Sequence, residues 1–193
     1  MIKLLIFILP ILINIFIVTT NMNNETLVPE STIMCILNPD STQMLLLERN
    51  PDYETNKDRK HELELPGGKI EGSETYEKCV ERELWEETSL CLDRVEESRE
   101  ILTKTPEETG RMIFVYTLND NEMSKIEQAR QDMKVKLHNN VSKCAGLNLH
   151  WINVDSLKHS VKTKNITLAL DEKFSLPLRK FNMFVLKDVF NVV

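Results

Sequence analysis

The chain has little glycine and few aromatic residues. It also lacks the paired cysteines of zinc sites and the basic runs of many nucleic-acid-binding proteins. Only five of its 193 residues are glycine, and 6% are aromatic. The four cysteines form no C-x-x-C pair, so a zinc site is not expected and free buried thiols are the favoured state. The net charge is −6 and no basic run occurs, so the basic face needed to grip nucleic acid without sequence preference is missing. DNA binding is therefore not expected.

The rest of the composition is that of an ordinary soluble globular protein. Apolar residues make up 41% of the chain and charged residues 28%, and the length suffices for one domain with its own core. We find no internal repeat and no long linker. Three of the five glycines are Gly67, Gly68 and Gly72. Backbone freedom is thus concentrated in one short segment.

Residues 1–21 differ in character from everything that follows. Lys3 is followed by an apolar stretch, interrupted twice, from Leu4 to Val18. A positive start and an apolar run of this length resemble a secretory signal peptide or a short signal anchor, since a full membrane span needs about 20 apolar residues. The alternative is that translation starts at Met22. The chain enters the secretory pathway if the leader is used and is cytoplasmic if it is not, and a stable membrane span is expected only if the leader is retained.

The remaining chain divides into a polar lead-in over residues 22–30 and one domain over residues 31–193. Short apolar runs between turn residues predict strands at 31–37, 43–47, 62–65, 111–118 and 147–154. Helices are predicted at 75–88, at 123–136 and toward the C terminus after Ser175. The first two strands form a hairpin, and 50–60 is a loop. Strands and helices alternate irregularly, which predicts a mixed α/β (α+β) single domain rather than a doubly wound sheet.

One predicted helix carries three glutamates on its apolar side. On a helical wheel Cys79 and Val80 face the core, and the same stripe continues through Glu83, Glu86 and Glu87 at spacing i, i+3, i+4. Like charges at this spacing repel, and partial burial makes the ionised form costlier still. An acidic helix face usually points to solvent, opposite the apolar residues. A bound hard cation such as Mg²⁺ resolves the conflict, because it prefers oxygen ligands.

The loop before this helix supports the same interpretation. Gly67 and Gly68 allow the backbone to turn sharply and to offer a carbonyl oxygen to a ligand or metal. A lone Gly-Gly pair is usually a simple turn. A pair that leads directly into a helix with three aligned carboxylates is stronger evidence for a site.

The segment LPGGKIEGSETYEKCVERELWEETSL, residues 65–90, resembles the Nudix box, G-x5-E-x7-R-E-U-x-E-E-x-G-U with U aliphatic. Every specified position matches except Ser89, which stands where the family has glycine. The lead-in at 65–71 resembles the MutT-type branch of the family. So many fixed positions over 23 residues make a chance match very improbable, although the close resemblance covers only this segment.

The resemblance implies a Nudix-like α-β-α sandwich with a mixed sheet, and a role for each matching residue. The metal, Mg²⁺ or Mn²⁺, would be held by the Gly67 carbonyl and by Glu83, Glu86 and Glu87. Arg82 would orient a glutamate of the helix through a charge-assisted hydrogen bond. Gly68 and Lys69 would contact substrate. The catalytic set is then Arg82, Glu83, Glu86 and Glu87.

Three further positions of the box have structural roles by the same resemblance. Glu74 would tie the loop to the helix, and Leu84 and Leu90 would lie in the core. Ser89 sits at a helix end where a left-handed residue is favoured, so serine is expected to cost roughly 1 kcal/mol or to shift the helix exit.

The reaction implied is metal-assisted hydrolysis of a diphosphate bond, with a carboxylate taking the proton of the attacking water. Residues 138–150 contain no carboxylate, and Glu122 and Glu127 are expected to be solvated helix charges. By elimination, Glu86 or Glu87 is the expected general base.

The substrate is expected to be a small nucleotide, either a nucleoside triphosphate, as the MutT-like lead-in suggests, or an ADP-ribose-like molecule, as Pro106 hints. Capped RNA is less favoured because no basic patch exists. The rival functions are a catalytically silent Nudix-fold module that binds a nucleotide or a protein, and a secreted effector that hydrolyses host nucleotides. Trp85, Trp151, His61 and His150 are expected to have packing or ordinary polar roles. The sequence does not indicate an oligomeric state.

Overall fold

The computed structural model describes residues 27–49, 61–104, 109–139, 146–171 and 174–191. The predicted leader, most of the polar lead-in, the predicted loop at 50–60, Pro106 and Cys144 lie outside these ranges. Within the described ranges, no helix has the length and apolar character needed to cross a membrane.

The described residues form eight strands and four α-helices. The strands are β1 (Pro29–Leu37), β2 (Gln43–Arg49), β3 (Leu63–Glu64), β4 (Arg99–Lys104), β5 (Gly110–Thr117), β6 (Gly146–Asn153), β7 (Thr167–Ala169) and β8 (Ser175–Pro177). The helices are α1 (Tyr76–Thr88), α2 (Met123–His138), α3 (Val154–Thr163) and α4 (Lys180–Phe190). All five predicted strands and three predicted helices are present, with small shifts at their ends.

Four of these elements were not predicted: β4, β7, β8 and α3. The start of α3 explains one of these misses, because the apolar run continues from β6 into Val154. The Asn153 side chain accepts a hydrogen bond from Ser156 N at 3.1 Å and so caps a helix at the point where the strand was expected to end.

Six strands form one mixed sheet in the order β3-β2-β1-β5-β4, and β6 pairs with β2. The central pair β1 and β5 is parallel, and the other pairs are antiparallel. β1 and β2 form the predicted hairpin, joined at Ile36↔Leu45 and Leu37↔Met44. β7 and β8 form a separate two-stranded sheet.

Helices cover both faces of the large sheet. Alternate residues of β1 point to opposite faces, so Met34 and Ile36 belong to one core cluster and Ile33 and Cys35 to the other. The first cluster packs under α1 and α2, and the second packs under α3, α4 and the small sheet. The fold is therefore an α-β-α sandwich with a mixed sheet, as predicted.

The site region lies beside the N-terminal part of β1, where this strand no longer pairs with β2. Toward its N-terminal end, β1 pairs with the chain that follows β3: Met34 N donates to Pro66 O and Thr32 N to Gly68 O, each at 2.9 Å. Ile70 N donates to Glu30 O at 3.0 Å. The glycine loop is therefore held along the edge of β1 before the chain enters α1.

Candidate active site

Capping residues define both ends of helix α1. The Thr75 side chain accepts from Lys78 N at 3.4 Å, which caps the N terminus. Ser89 closes the C terminus in the left-handed conformation, with φ 61°, and its N–H donates to Trp85 O at 2.9 Å. The departure from the Nudix pattern thus sits at a left-handed position, where the family's glycine is relaxed and serine is strained.

One face of α1 is buried, and the glutamates lie along its margin. Cys79, Val80 and Leu84 are buried against the sheet. The Glu83 side chain is 15% exposed and that of Glu86 is 32% exposed. The predicted stripe is therefore present, with its carboxylates at the border between core and solvent and not on the opposite face.

The two glycines of the loop have different neighbours. Gly67 has φ 151°, and a Cβ there would lie 2.2 Å from the backbone oxygen of Thr32. A Cβ on Gly68 would instead meet the Glu83 carboxylate, 2.1 Å from Oε1. Gly67 therefore allows the loop to lie against β1, whereas Gly68 leaves room for a carboxylate of α1.

The loop also contacts Glu87 directly. Gly67 N donates to Glu87 Oε2 at 2.9 Å. In the described part of the chain, no group donates to the Gly67 carbonyl, while the carbonyls on either side of it accept from β1. A strand-like loop alternates its carbonyl directions, so the Gly67 oxygen points away from β1.

Two carboxylates of this face, Glu83 and Glu87, have raised pKa values because they are buried. Burial raises the pKa of Glu87 well above its usual range, and the nearby charge of Glu64 raises it further. Burial also raises the pKa of Glu83, although Arg82 opposes this effect. The fold therefore favours the protonated forms of these two carboxylates more than water does.

Arg82 joins the loop to the helix. Its Nη1 donates to Glu83 Oε1 at 2.8 Å, and its Nη2 donates to Glu74 Oε1 at 2.7 Å and to Lys69 O at 3.0 Å. Glu86 lies 3.6 Å from Nη1. The Arg82 bond is the main cause that lowers the pKa of Glu74 to about 2. The contacts expected of Arg82 and Glu74 are thus both present.

A second arginine network adjoins this face and was missed by the sequence analysis. The buried Glu64 carboxylate accepts from Arg49 Nη1 at 3.0 Å and from Arg179 Nη1 at 2.8 Å, both through Oε2. The Arg49 Nε is buried without a hydrogen-bond partner among the described residues. The alternation at 62–65 placed Glu64 in a strand, and nothing in the sequence linked it to an arginine 115 residues away.

The sheet-side edge of the loop opens into a cavity of about 330 Å³. Residues predicted to contact substrate, Gly68 and Lys69, line it, together with Gly67. Its opposite wall is formed by Phe181 and Asn182 near the start of α4. Asn182 is 2% exposed, and its amide Nδ2 has no hydrogen-bond partner among the described residues.

Arg111 also contributes a charged group to the cavity wall. The Arg111 guanidinium lies 3.9 Å from the Phe181 ring centroid, and its Nε donates to Ser31 Oγ at 2.8 Å. The aromatic ring and guanidinium give this wall a flat, polarisable surface. A larger cavity of about 450 Å³ lies between β6, α3 and β7 and contains no residue of the predicted site.

In their present rotamers the carboxylates do not form a finished metal cage. Within the described ranges, no three His, Cys, Asp or Glu residues are grouped so that they hold a metal ion. Glu83 is turned toward Arg82, and Glu87 is turned toward Gly67 N. The structure therefore brings the predicted ligands to one helix face beside the glycine loop, with side chains engaged by local donors.

Several other predicted roles are resolved by the structure. His61 and His150 have polar roles, because each places Nε2 2.6 Å from an oxygen of the same Glu48 carboxylate. The predicted solvated state of Glu122 is wrong: its side chain is buried and accepts from Tyr116 OH at 2.6 Å. Glu122 immediately precedes α2, where it packs against Tyr116 of β5 and is shielded from solvent.

The packing role expected for Trp85 also needs correction. Trp85 is 48% exposed, and its ring is covered by the Lys136 ammonium of α2 at 3.8 Å instead of an apolar layer. Trp151 is partly buried against the core, as expected. Cys35 and Cys79 are free and buried as predicted, whereas Cys91 is free and exposed.

Comparison with known proteins gives the following similarities. A MutT structure described for Aliivibrio salmonicida and Vibrio cholerae is 17% identical, with a TM-score of 0.43, covering 67% of this chain and 83% of that chain. MutT from Methanosarcina mazei Go1 is 16% identical, with a TM-score of 0.43 and coverages of 84% and 94%. A bifunctional NMN adenylyltransferase/ADP-ribose pyrophosphatase from Francisella tularensis is 20% identical, with a TM-score of 0.37 and coverages of 48% and 28%.

No curated protein matches the chain. The family model of the NUDIX domain matches residues 28–169, well over half of the sequence, and this range contains the glycine loop, α1 and the sheet around them. The chain therefore belongs to the Nudix family.

Proposed function

We propose that the chain is a divalent-metal-dependent Nudix pyrophosphohydrolase that cleaves the diphosphate bond of a nucleotide. One observation carries the proposal: the glycine loop is shared by the carboxylate face and by the cavity. Gly67 N donates to Glu87 and Gly68 lies against Glu83, while both glycines also line the cavity beside α4. A nucleotide whose nucleoside fills the cavity then has its phosphates beside the two glutamates.

We assign the metal, Mg²⁺ or Mn²⁺, to Glu83, Glu86, Glu87 and the Gly67 carbonyl. All four donors are oxygens, which hard divalent cations prefer. Burial raises the pKa of Glu87, so an ionised carboxylate there is costly unless a cation shares the site. When bound, such a metal supplies neutralisation of the diphosphate charge and a lowered pKa for an attacking water.

The residues of the chain orient the groups and accept the proton. Arg82 fixes Glu83 and the Lys69 carbonyl relative to each other through its two terminal nitrogens. Gly67 N–H holds Glu87 at the loop. We assign proton acceptance to Glu86 or Glu87, since Glu122 is already engaged by Tyr116 and Glu127 pairs with Arg130.

The cavity favours a nucleoside over a smaller phosphorylated group. The Arg111 guanidinium, which lies over the Phe181 ring, offers a flat surface on which a base can stack. Nucleoside triphosphates and ADP-ribose-like molecules both contain such a base next to a diphosphate.

The test is a substrate screen with a variant that removes one metal-binding charge. Purified protein is assayed with nucleoside triphosphates, ADP-ribose, dinucleoside polyphosphates and capped RNA, with Mg²⁺ and with Mn²⁺. Glu87→Gln is expected to lower turnover by at least about 10²-fold, because it removes a charge that acts directly at the reacting phosphates. Glu81→Gln, on the exposed face of the same helix, is the matched control and is expected to match wild type.

Two results would count against the proposal. Equal turnover by wild type and Glu87→Gln would remove the site from these glutamates. Nucleotide binding without hydrolysis by wild type would favour the silent binding module instead. If active protein is recovered from the medium of the cells that make it, the secreted-effector alternative is supported. That alternative has the same chemistry but acts outside the cell.

A further inference from the structure

We propose that Arg179 is a phosphate-binding residue that spans the distance between the nucleoside cavity and the carboxylate face. The proposal rests on the proposed function, because it assumes that a nucleotide occupies the cavity. It adds a residue that lies outside the glycine loop and α1 and near the start of the C-terminal helix. The resemblance to the Nudix box gives this residue no role.

Arg179 is placed by its backbone and oriented by its side chain. It is the residue immediately before α4, and its N–H donates to Leu63 O at 2.9 Å, which fixes it beside β3. Its Nη1 donates to Glu64 Oε2 at 2.8 Å. Because Glu64 is itself buried and also held by Arg49, the carboxylate is a rigid anchor for the guanidinium.

The position of Arg179 joins the two halves of the proposed site. Its side chain lines the cavity together with Gly67 and Gly68. Gly67, which lines the same cavity, donates its N–H to Glu87 Oε2 at 2.9 Å. Arg179 therefore touches the cavity on one side and the Glu64 carboxylate on the other, beside the glycine loop that contacts Glu83 and Glu87.

The donors of Arg179 are only partly used. Its side chain is 43% exposed, and among the described residues only Nη1 makes a hydrogen bond, so Nε and Nη2 have no protein partner there. The other arginine of the cavity wall, Arg111, is already engaged with Ser31 and Phe181. A planar guanidinium with two adjacent unused N–H groups matches two oxygens of one phosphate.

A positive charge is also needed at this point for electrostatic reasons. The diphosphate of a nucleotide must approach Glu83, Glu87 and Glu64, all carboxylates. Arg49 is buried at 6% exposure and faces Glu64, so Arg179 is the more accessible of the two cations on this anchor. The neighbouring Lys180 is exposed and does not line the cavity, which makes it a matched control.

The test compares ligands with and without phosphates, so that it does not require turnover. Binding of adenosine and guanosine is measured by ligand-detected NMR, and binding of their α,β-methylene diphosphates, which resist cleavage, is measured by calorimetry with Mg²⁺. Arg179→Met is expected to weaken diphosphate binding roughly 10- to 100-fold, as expected for a bidentate charged contact, with nucleoside binding within about twofold. Arg179→Lys should recover part of the loss, and Lys180→Met should behave as wild type.

The outcomes separate a phosphate contact from a structural one. If Arg179 only ties α4 to β3, Arg179→Met weakens nucleoside and diphosphate binding alike, and the proposal is overturned. It is also overturned if wild type binds the diphosphates no better than the nucleosides. Selective loss of diphosphate binding supports the proposal even if no substrate of the screen is hydrolysed, so its failure is distinguishable from failure of the proposed enzyme activity.

Discussion

The carboxylates at the two ends of the loop-helix segment have pKa values shifted in opposite directions. At the loop end, Glu74 accepts two hydrogen bonds from Arg82 and one from Glu71 N, and its pKa falls to about 2. At the buried end, Glu87 has the Gly67 N–H, and its pKa is raised well above the usual range by burial and then by Glu64. Both residues are glutamates of one sequence motif, thirteen positions apart.

The difference separates a carboxylate whose charge the fold stabilises from one whose charge the fold disfavours. Glu74 is neutralised by a cation of the chain itself, so the folded state stabilises its charge. Near Glu87 the available arginines are already bonded to Glu64. Burial therefore makes the ionised form of Glu87 costly in the folded state, and the proposed metal ion would lower that cost.

The largest expected effects come from the two loop glycines that contact Glu87 and Glu83. Gly67→Ala is expected to destabilise the fold by about 2–5 kcal/mol, because it adds a positive-φ alanine and a clash with the Thr32 backbone. Gly68→Ala meets only the mobile end of Glu83, so the fold should survive. Thermal unfolding measured beside turnover separates the two.

For Gly68→Ala we expect turnover to fall roughly 10- to 100-fold, because the added methyl group displaces the Glu83 carboxylate. Gly72→Ala is a control for glycine replacement in the same loop, since no atom lies near its Cβ, although its φ of 57° adds some strain. Full activity in Gly68→Ala would mean that the position of Glu83 is irrelevant to the reaction.

The next largest effect is expected when Glu74 and Glu87 are each replaced by neutral glutamine, which tests the contrast between them directly. Without metal at pH 7, Glu74→Gln should lower the melting temperature, whereas Glu87→Gln should raise it by roughly 2–6 °C, because a costly buried charge is removed. Mg²⁺ should stabilise wild type but have little effect on Glu87→Gln. Calorimetric scans in chelator and in Mg²⁺ measure both differences.

The pH dependence of the two variants should also have opposite signs. The folded-state pKa of Glu74 is depressed, so its stabilisation is present above about 4.5 and is lost as pH falls toward about 2. The gap between wild type and Glu74→Gln should therefore begin to narrow near pH 4.5 and disappear only below about pH 2. The raised pKa of Glu87 predicts that its destabilisation grows as pH rises above 4.5, so a parallel response of the two variants would contradict the contrast.

The sequence predicted the parts of this contrast that depend on local contacts. The loop, the helix limits, the glutamate stripe and the Arg82 contacts all lie between Leu65 and Leu90, where helical spacing determines which side chains meet. The resemblance to one family also implied the layer order of the fold. These features need only near neighbours and a known motif.

The parts that escaped prediction depend on distant packing. Glu64 and Arg179 are joined only because β3 lies beside the chain that leads into α4, and no spacing rule connects positions 115 residues apart. The same holds for the cavity wall at Phe181 and for burial of Glu122 under Tyr116. Charge alone suggested that Glu122 was solvated, whereas strand packing decided otherwise.

The smallest expected effect lies at the end of α1, next to Glu87. Ser89 adopts φ 61°, and its Oγ is buried without a partner among the described residues. Ser89→Gly relieves the left-handed strain and removes the unpaired hydroxyl, so it should stabilise the protein by about 1 kcal/mol, or roughly 2–4 °C in melting temperature. Turnover should remain within about twofold, since the helix exit is already in the conformation that glycine prefers.

Two controls divide this gain between its causes. Ser89→Ala removes the hydroxyl but keeps the strained Cβ, so it should recover only the polar part. Ser98→Ala removes a second buried, unpartnered hydroxyl from an extended residue, where no left-handed strain exists. If Ser89→Gly stabilises no more than Ser89→Ala, the left-handed backbone costs nothing here, and the serine at this family position is neutral for the stability of the helix that carries the glutamates.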